Sequence, residues 1–265
     1  MVSSLWDIYM KINALKPLVH CITNPVTVND CANALLAVGA RPIMASHPDE
    51  TAEVQGGASS LVLNMGAIAN FGAMESAAET AVSLGHPVVV DPVGVSASTL
   101  RRRACLGLFR SRRVTCVRGN ASEIAALLSD SRTASGLEAE CSSDAVSNAR
   151  ALAREYSCCV VSSGADDIVT DGASVFRVSN GDPMMARVTG TGCMSSALLG
   201  AFYAAEDSLL AAVASCAVMG MAGELAAEET RGHMRGTGTF RTLLMDGLSL
   251  VDESVFARRL KVVSE

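Results

Sequence analysis

A glycine-rich segment at the start of a long helical pattern carries the clearest chemical signal in this sequence. Gly190 and Gly192 flank Thr191, and Cys193 follows directly, where the sequence predicts a helix over 191–205. Because glycine lacks a Cβ, backbone N–H groups can converge there, and the helix N-terminus adds partial positive charge. We therefore expect this turn to bind an anion such as phosphate. A glycine-rich turn that serves packing alone is the alternative.

Charged side chains follow two of the apolar runs that precede this segment. Asp91 comes directly after one run and is held by a Pro-Val-Gly turn. A carboxylate there could bind a metal or meet a reacting hydroxyl, although an Asx turn would use the same residue. Arg118 follows the next run, and its guanidinium fork suits phosphate. Asn120 and Glu123 have the spacing of a helix start, so a capping pair is the alternative for Glu123.

Two further side chains lie where a small ligand could reach them. Asn24 follows the first apolar run, and its amide could bind the polar edge of a ligand, although Pro25 beside it also favours a plain turn. Met44 lies at the end of the second run. A methionine in such a place more often fills the core.

Several other kinds of site are excluded by their missing motifs. The sequence has no GxxxxGK[ST] loop, no GxSxG, no HExxH and no CxxC pair, and its four histidines form no spaced pair. A dinucleotide fingerprint would need a small third residue at Ser195 and a place in the first strand–helix–strand unit. Here the glycines come late, and helices follow them, so a Rossmann dehydrogenase is a weak alternative.

Short apolar runs alternate with helical patterns along most of the chain. The runs are 18–22, 42–45, 61–64, 88–90, 114–117 and 158–162, and helices are predicted at 144–156, 191–205, 208–229, 237–250 and 252–260. This alternation predicts an α/β fold with a mainly parallel sheet covered by helices on both faces. Ligands of such sheets bind beyond the carboxyl ends of the strands, where all the candidates above are placed.

Composition narrows the partners and the compartment. The 265 residues are 49% apolar and carry a net charge of −6, which gives no reason to expect nucleic acid or an anionic membrane. Nine unpatterned cysteines fit a reducing cytosol. The first 20 residues lack a basic start and make a poor signal peptide. The charge-free stretch 208–223 is shorter than a membrane span, so we expect a buried helix there.

Six ordered motifs resemble those of the hydroxyethylthiazole kinase family, within the ribokinase-like superfamily. They are CITNPVTVNDCAN at 21–33, NMG at 64–66, DPVG at 91–94, RGNASEI at 118–124, VTGTGC at 188–193 and GTGTFRTLLMDGLSLV at 236–251. Their order and spacing match over nearly the whole chain. The cysteine after the glycines is the most specific feature, since most ribokinase-like kinases carry an acidic residue there.

The resemblance implies an architecture and an activity. It implies one ribokinase-like domain over 1–265, with three layers and no lid domain, in a cytoplasmic homotrimer whose active sites lie between subunits. It implies that ATP, with Mg²⁺, phosphorylates the hydroxyl of 4-methyl-5-(2-hydroxyethyl)thiazole for thiamine biosynthesis or salvage.

The resemblance also implies roles for single residues. The catalytic positions would be Cys193, Gly190 and Gly192, and the thiazole contacts Met44, Gly190, Asn24, Val26 and Gly66. The ATP contacts would be Arg118, Ser163 and Asn120, and the acidic pair near magnesium Asp91 and Glu123. At a helix N-terminus, the Cys193 thiol is expected to have a lowered pKa and to accept the hydroxyl proton late.

Some positions depart from the family pattern, and two other functions stay open. Pro25 and Thr27 stand where a bulkier and an aliphatic residue are expected, Ser163 replaces a usual threonine, and 133–143 lacks a Lys-Gly-Val-Asp-Ser signature. A hydroxymethylpyrimidine kinase is the nearest alternative, and an aspartate at position 193 would have favoured it. A catalytically silent nucleotide-binding regulator is the other, against which the retained acidic and glycine positions argue.

Overall fold

The central element of the structure is one nine-stranded sheet. The computed structural model describes residues 1–111, 114–134 and 144–265, with the backbone alone for 130–134. The strands are β1 (Leu18–Ile22), β2 (Arg41–Ile43), β3 (Ser60–Asn64), β4 (Val88–Asp91), β5 (Cys116–Asn120), β6 (Cys159–Ser163), β7 (Asp167–Thr170), β8 (Val175–Val178) and β9 (Val262–Ser264). Their order across the sheet is β2-β1-β3-β4-β5-β6-β7-β8-β9.

The first six strands run parallel and the last three are antiparallel. β1 pairs in parallel with both β2 and β3, and the parallel ladder continues through β4, β5 and β6. β3 and β4 are buried along their whole length, as expected for parallel strands covered on both faces. The carboxyl ends of these strands therefore lie at one edge of the sheet.

Helices cover both faces of the sheet and complete three layers. The helices on one face are α1 (Val2–Leu15), α2 (Val28–Ala37), α8 (Thr191–Ala205), α9 (Leu209–Gly232), α10 (Thr237–Leu250) and α11 (Glu253–Arg259). Those on the other are α4 (Phe71–Ser83), α5 (Thr99–Arg110), α6 (Ala121–Ala134) and α7 (Ala145–Tyr156), with α3 (Thr51–Gly56) packed against α4. The predicted three-layer α/β fold with a mainly parallel sheet is confirmed.

Helix α9 is long and apolar enough to cross a membrane by length and composition alone. However, 83% of its most apolar stretch is buried inside the protein, and it packs against α8 and α10. The prediction of a buried helix at this place is confirmed.

Most predicted elements match the structure, and the strands that were not predicted lie together at the edge of the sheet opposite β2. All six predicted strands and all five predicted helices exist, and Asp144 caps α7 by accepting the N–H groups of Val146 and Ser147. The predicted strand 114–117 is shifted to Cys116–Asn120, because the ladder with β6 continues past the apolar residues as far as Ser163. Strands β7, β8 and β9 and helix α1 were not predicted. Of the segment 133–143, residues 135–143 lie outside the described part of the chain.

Candidate active site

Polar side chains from three strand ends line one cavity. Asp91 ends β4, Asn120 ends β5 and Ser163 ends β6, while Asn64, at the end of β3, binds the Asp91 carboxylate. The cavity has a volume of about 650 Å³. Among the predicted site residues, those that line it are Asp91, Arg118, Asn120, Glu123, Ser163, Gly190, Gly192 and Cys193. The structure thus places the predicted ATP, metal and catalytic positions together.

The glycine-rich turn forms the N-terminus of α8 and opens into this cavity. Gly190 is the residue before the helix and has a φ of +92°, which glycine adopts at little cost. The first helical hydrogen bond runs from the Met194 N–H to the Gly190 carbonyl. The N–H groups between these two residues therefore have no carbonyl of the helix to bind. They are available, with the positive end of the helix, for an anion.

The two glycines of the turn lie against different side chains. A Cβ on Gly190 would lie 2.8 Å from the Thr27 side chain, in addition to the strain of its positive φ. Gly192 lies within α8, and its φ is not positive. A Cβ there would lie 3.0 Å from the Arg118 guanidinium. Arg118 thus lies directly against the turn 190–193.

Asp91 is buried at the end of β4, with only 2% of its surface exposed. One carboxylate oxygen accepts hydrogen bonds from the Asn64 amide and the Ser196 hydroxyl, both at 2.9 Å. Burial raises the pKa of Asp91 to about 6, although the charge of Arg118 and these hydrogen bonds oppose the shift. A carboxylate held this way is ionised at neutral pH at some cost to the folded state.

The raised pKa of Asp91 makes the stability of the protein depend on pH. The folded protein keeps the Asp91 proton up to about pH 6, whereas the unfolded chain releases it near pH 4. The free energy of unfolding contributed by this group therefore falls as the pH rises through that interval. We expect ligand-free Asp91→Asn to melt above the wild type at neutral pH, with the difference shrinking towards pH 4, as measured by differential scanning fluorimetry. A difference in Tm that does not change with pH would contradict this.

Glu123 and Asn120 form a capping box at the start of α6. Glu123 Oε2 accepts the Asn120 N–H at 2.9 Å, and Asn120 Oδ1 accepts the Glu123 N–H at 3.0 Å. The other oxygen, Glu123 Oε1, accepts the Gly94 N–H at 3.0 Å, which links α6 to the loop after Asp91. The capping alternative is therefore seen in the structure, and Glu123 lines the cavity as well.

The donor set at this end of the cavity is compatible with Mg²⁺. Asp91 and Glu123 supply two carboxylates, and Mg²⁺ usually takes one or two of these together with water and substrate phosphates. The described residues contain no group of three or more His, Cys, Asp or Glu side chains that could hold a metal by themselves. A metal at this place would thus depend on the phosphates of a bound substrate.

Cys193, the last residue of the turn, contacts two buried asparagines. Its Sγ lies 3.2 Å from Asn64 Nδ2 and 3.4 Å from Asn24 Nδ2, and both amides donate to it. Burial, followed by the charge of Asp91, raises the pKa of the Cys193 thiol. The expectation of a lowered pKa at the helix N-terminus is therefore wrong, because desolvation outweighs the helix dipole here. The thiol is neutral at physiological pH.

Of the predicted thiazole contacts only Gly190 lines the cavity; Asn24, Val26, Met44 and Gly66 do not. Asn24 joins the two regions, since its amide donates to Cys193 and its Oδ1 accepts the N–H groups of Val26 and Thr27. The Gly66 N–H donates to Asn64 Oδ1 at 2.9 Å. Val26 is 70% exposed, and Met44 is half-buried at the end of β2. In a single chain this side of the site faces solvent.

Three polar residues of the site were not singled out from the sequence. Asn64 and Ser196 bind the Asp91 carboxylate, and Asp167, at the start of β7, lines the cavity. Burial raises the pKa of Asp167. Asn64 stood in the NMG motif and Ser196 in the first turns of α8, but only the folded chain shows that both side chains meet Asp91. Asp167 belongs to a strand that the sequence did not predict.

The chain matches known sequences over nearly its whole length. The model of the hydroxyethylthiazole kinase family matches residues 9–254. A hydroxyethylthiazole kinase of Ruminiclostridium cellulolyticum is 40% identical over 95% of this chain and 94% of that protein. One from Leptothrix cholodnii is 42% identical over 98% and 95% of the two chains.

Solved structures give the same result at the level of the fold. The hydroxyethylthiazole kinase protein from Pyrococcus horikoshii OT3 superposes with a TM-score of 0.91 at 37% identity, covering 99% of both chains. Pyridoxal kinase from Staphylococcus aureus, solved with AMP-PCP and pyridoxal, has a TM-score of 0.60 at 15% identity, covering 79% of this chain and 88% of that one. The second likeness concerns the ribokinase-like fold alone. With its motifs, its fold and these relatives, the chain belongs to the hydroxyethylthiazole kinase family.

Proposed function

We propose that this protein transfers the γ-phosphate of ATP to the hydroxyl of 4-methyl-5-(2-hydroxyethyl)thiazole. The observation that carries the proposal is the α8 N-terminal turn, which faces Arg118 and Asp91 in one cavity of a chain of this family. The relatives are named as kinases of this substrate. The product would be the thiazole phosphate, for thiamine biosynthesis or salvage.

The protein would act mainly by placing charges around the phosphoryl group. Phosphoryl transfer passes through a loose transition state and asks little covalent chemistry of the enzyme. Mg²⁺, when bound with ATP, would neutralise charge on the phosphates. Asp91 and Glu123 would hold that ion, and Arg118, with Ser163 and Asn120 nearby, would hold the nucleotide phosphates. The N–H groups of the turn 190–193 would meet the charge on the moving group.

Cys193 would orient the acceptor rather than serve as a base. Its raised pKa keeps the proton on sulfur, and the hydrogen bonds from Asn24 and Asn64 fix the position of the sulfur. In a loose transition state the attacking hydroxyl loses its proton late, so a phosphate oxygen or water can take that proton and a strong base is not required. We propose that the thiol contacts the acceptor hydroxyl, while Met44, Val26 and Gly66 contact the thiazole ring.

A coupled assay of ADP release tests this function. We expect release to require both the thiazole alcohol and Mg²⁺. Absence of ADP release with every alcohol, together with tight ATP binding, would favour the silent regulator instead. The wild-type protein needs no alteration for this experiment, and omission of each component in turn supplies the control.

We also propose a homotrimer with active sites between subunits. The support from the structure is that Val26, at the thiazole side, is 70% exposed in one chain. A neighbouring subunit over this side would bury this side chain and close the site. We propose that this assembly, one domain per chain over 1–265, is cytoplasmic and has neither nucleic acid nor membrane as a partner.

Light scattering should report about three chains of 27.4 kDa per particle. We expect Val26→Glu to weaken the assembly and to raise the KM for the thiazole, because it places a charge where the neighbouring subunit would pack. Val82→Glu, on the exposed side of α4, places the same charge at another exposed valine and should alter neither property. A fully active wild-type monomer would contradict the shared site.

A further inference from the structure

A buried carboxylate lies in the middle of α9, behind the wall of the cavity. Glu224 has only 9% of its side chain exposed. Its Oε1 accepts hydrogen bonds from the Asn180 amide at 3.1 Å, the Gly181 N–H at 3.1 Å and the Lys261 ammonium at 2.9 Å. Arg259 lies 3.7 Å from its other oxygen. Burying a charge is costly unless several partners offset it, and here the partners come from two distant segments.

These partners also bind each other. The Asn180 amide donates to the Arg259 carbonyl at 2.7 Å, and the Lys261 N–H donates to Asn180 Oδ1 at 2.9 Å. The nitrogen and the oxygen of the Asn180 amide therefore both bind the backbone of the segment that leads into β9. The network ties three segments together: the loop 180–183 after β8, the helix α9, and the C-terminal residues 259–261.

The loop 180–183 forms part of the cavity wall. Asn180, Gly181, Asp182 and Pro183 all line the cavity that holds Arg118 and the α8 turn. The loop lies directly on α9, since a Cβ on Gly220 would come within 2.5 Å of the Asn180 carbonyl oxygen. The position of this wall is thus fixed by how the loop is held against α9. Glu224 is the buried charged group that holds it, and Arg231 of α9 adds an exposed pair with Asp182, at 2.7 and 2.9 Å.

We infer that Glu224 is a positioning residue for the nucleotide, and that the C-terminal residues Arg259 and Lys261 set the position of the cavity wall through it. The inference rests on the proposed function, because it assigns this wall to the ATP side of the site. Glu224 would therefore affect the binding of ATP but not the binding of the thiazole. The thiazole side, beyond Cys193, has no contact with the network among the described residues.

The test compares ATP with the thiazole in the variants Glu224→Gln and Lys261→Met. Glu224→Gln keeps a carbonyl for the Gly181 N–H but removes the charge that Lys261 offsets. We expect the KM for ATP, and the Kd for ADP measured by calorimetry, to rise about 10-fold. This is the effect typical of residues that orient a binding group without touching the ligand themselves. The KM for the thiazole and the kcat at saturating ATP should change less than about twofold. Lys261→Met should show the same pattern more weakly.

Lys11→Met is the matched control. Lys11 pairs with Glu206 on the surface, and its side chain is 50% exposed, against 55% for Lys261. This control should leave both substrates unaffected, and circular dichroism must show all variants folded. Unchanged ADP affinity in folded Glu224→Gln and Lys261→Met would overturn the inference. If the wild type itself binds no nucleotide, the proposed function fails instead. A loss of affinity for both substrates alike would show a merely structural role, and it would also overturn the inference.

Discussion

Gly192→Val should fold normally and lose nearly all turnover, whereas Cys193→Ala should remain measurably active. The branched side chain at position 192 would project towards the Arg118 guanidinium, whose nearest atom lies 3.0 Å from an added Cβ. It would displace Arg118 and fill the space where the turn approaches a phosphate. Because preorganised donors are commonly the largest catalytic contribution, we expect kcat to fall by about 10³-fold or more.

Cys193→Ala is the matched change at the neighbouring position. It keeps the backbone N–H and the start of α8, and it removes only a neutral thiol held by Asn24 and Asn64. We expect a loss of about 10-fold to 10²-fold, at or below the low end for a proton-transfer group. Both values of kcat are measured at saturating ATP and thiazole, after gel filtration and circular dichroism. An active Gly192→Val beside an inactive Cys193→Ala would show that the thiol, and not the anion-binding turn, is essential.

Asp91→Asn and Glu123→Gln should each lower turnover by about 10²-fold, the order expected when one electrostatic partner is removed. Both changes keep the size of the side chain and remove one acidic group from the proposed magnesium site. The loss should be smaller at high Mg²⁺ if the residues act through the metal, so kcat/KM is measured over a range of Mg²⁺ concentrations.

The free energy of unfolding of the two variants distinguishes this loss of turnover from damage to the fold. Asp91→Asn relieves the cost of a buried carboxylate whose pKa is about 6, up to about 3 kcal/mol at 1.36 kcal/mol per pKa unit. The variant should therefore be less active and more stable. Glu123→Gln should instead lose some stability, because its carboxylate accepts the N–H groups of Asn120 and Gly94. Full activity of both variants at limiting Mg²⁺ would show that the two residues serve only as turn and cap groups.

The sequence predicted the parallel strands, and it placed the candidate site residues at their carboxyl ends, because both depend on local signals. Buried parallel strands read as apolar runs on both faces, and the α8 turn is marked by adjacent glycines. Strands β7, β8 and β9 are short, lie towards the edge of the sheet and alternate less clearly. In β8, Phe176 and Arg177 are half-buried, which gives no uniform pattern. Strand β9 depends on pairing with β8 from the far end of the chain.

The electrostatics of the site could not be predicted from the sequence, since they depend on burial and on contacts between distant segments. The helix N-terminus alone suggested a reactive Cys193, but burial and the charge of Asp91 raise its pKa, and the hydrogen bonds from Asn24 and Asn64 only partly offset this. Asn64 and Ser196 are separated by more than a hundred residues and share one carboxylate oxygen. Glu224 follows the charge-free stretch 208–223, and no local signal marks its buried network.

A competition between acceptors tests the proposed function most directly. The wild-type protein is given ATP, Mg²⁺ and equal amounts of the thiazole alcohol, hydroxymethylpyrimidine and pyridoxal, and the phosphorylated products are identified by mass. We predict that the thiazole phosphate dominates early in the reaction, with ADP formed in equal amount. Preferential formation of hydroxymethylpyrimidine phosphate or pyridoxal phosphate would contradict the proposal, and it would assign this site to a different alcohol.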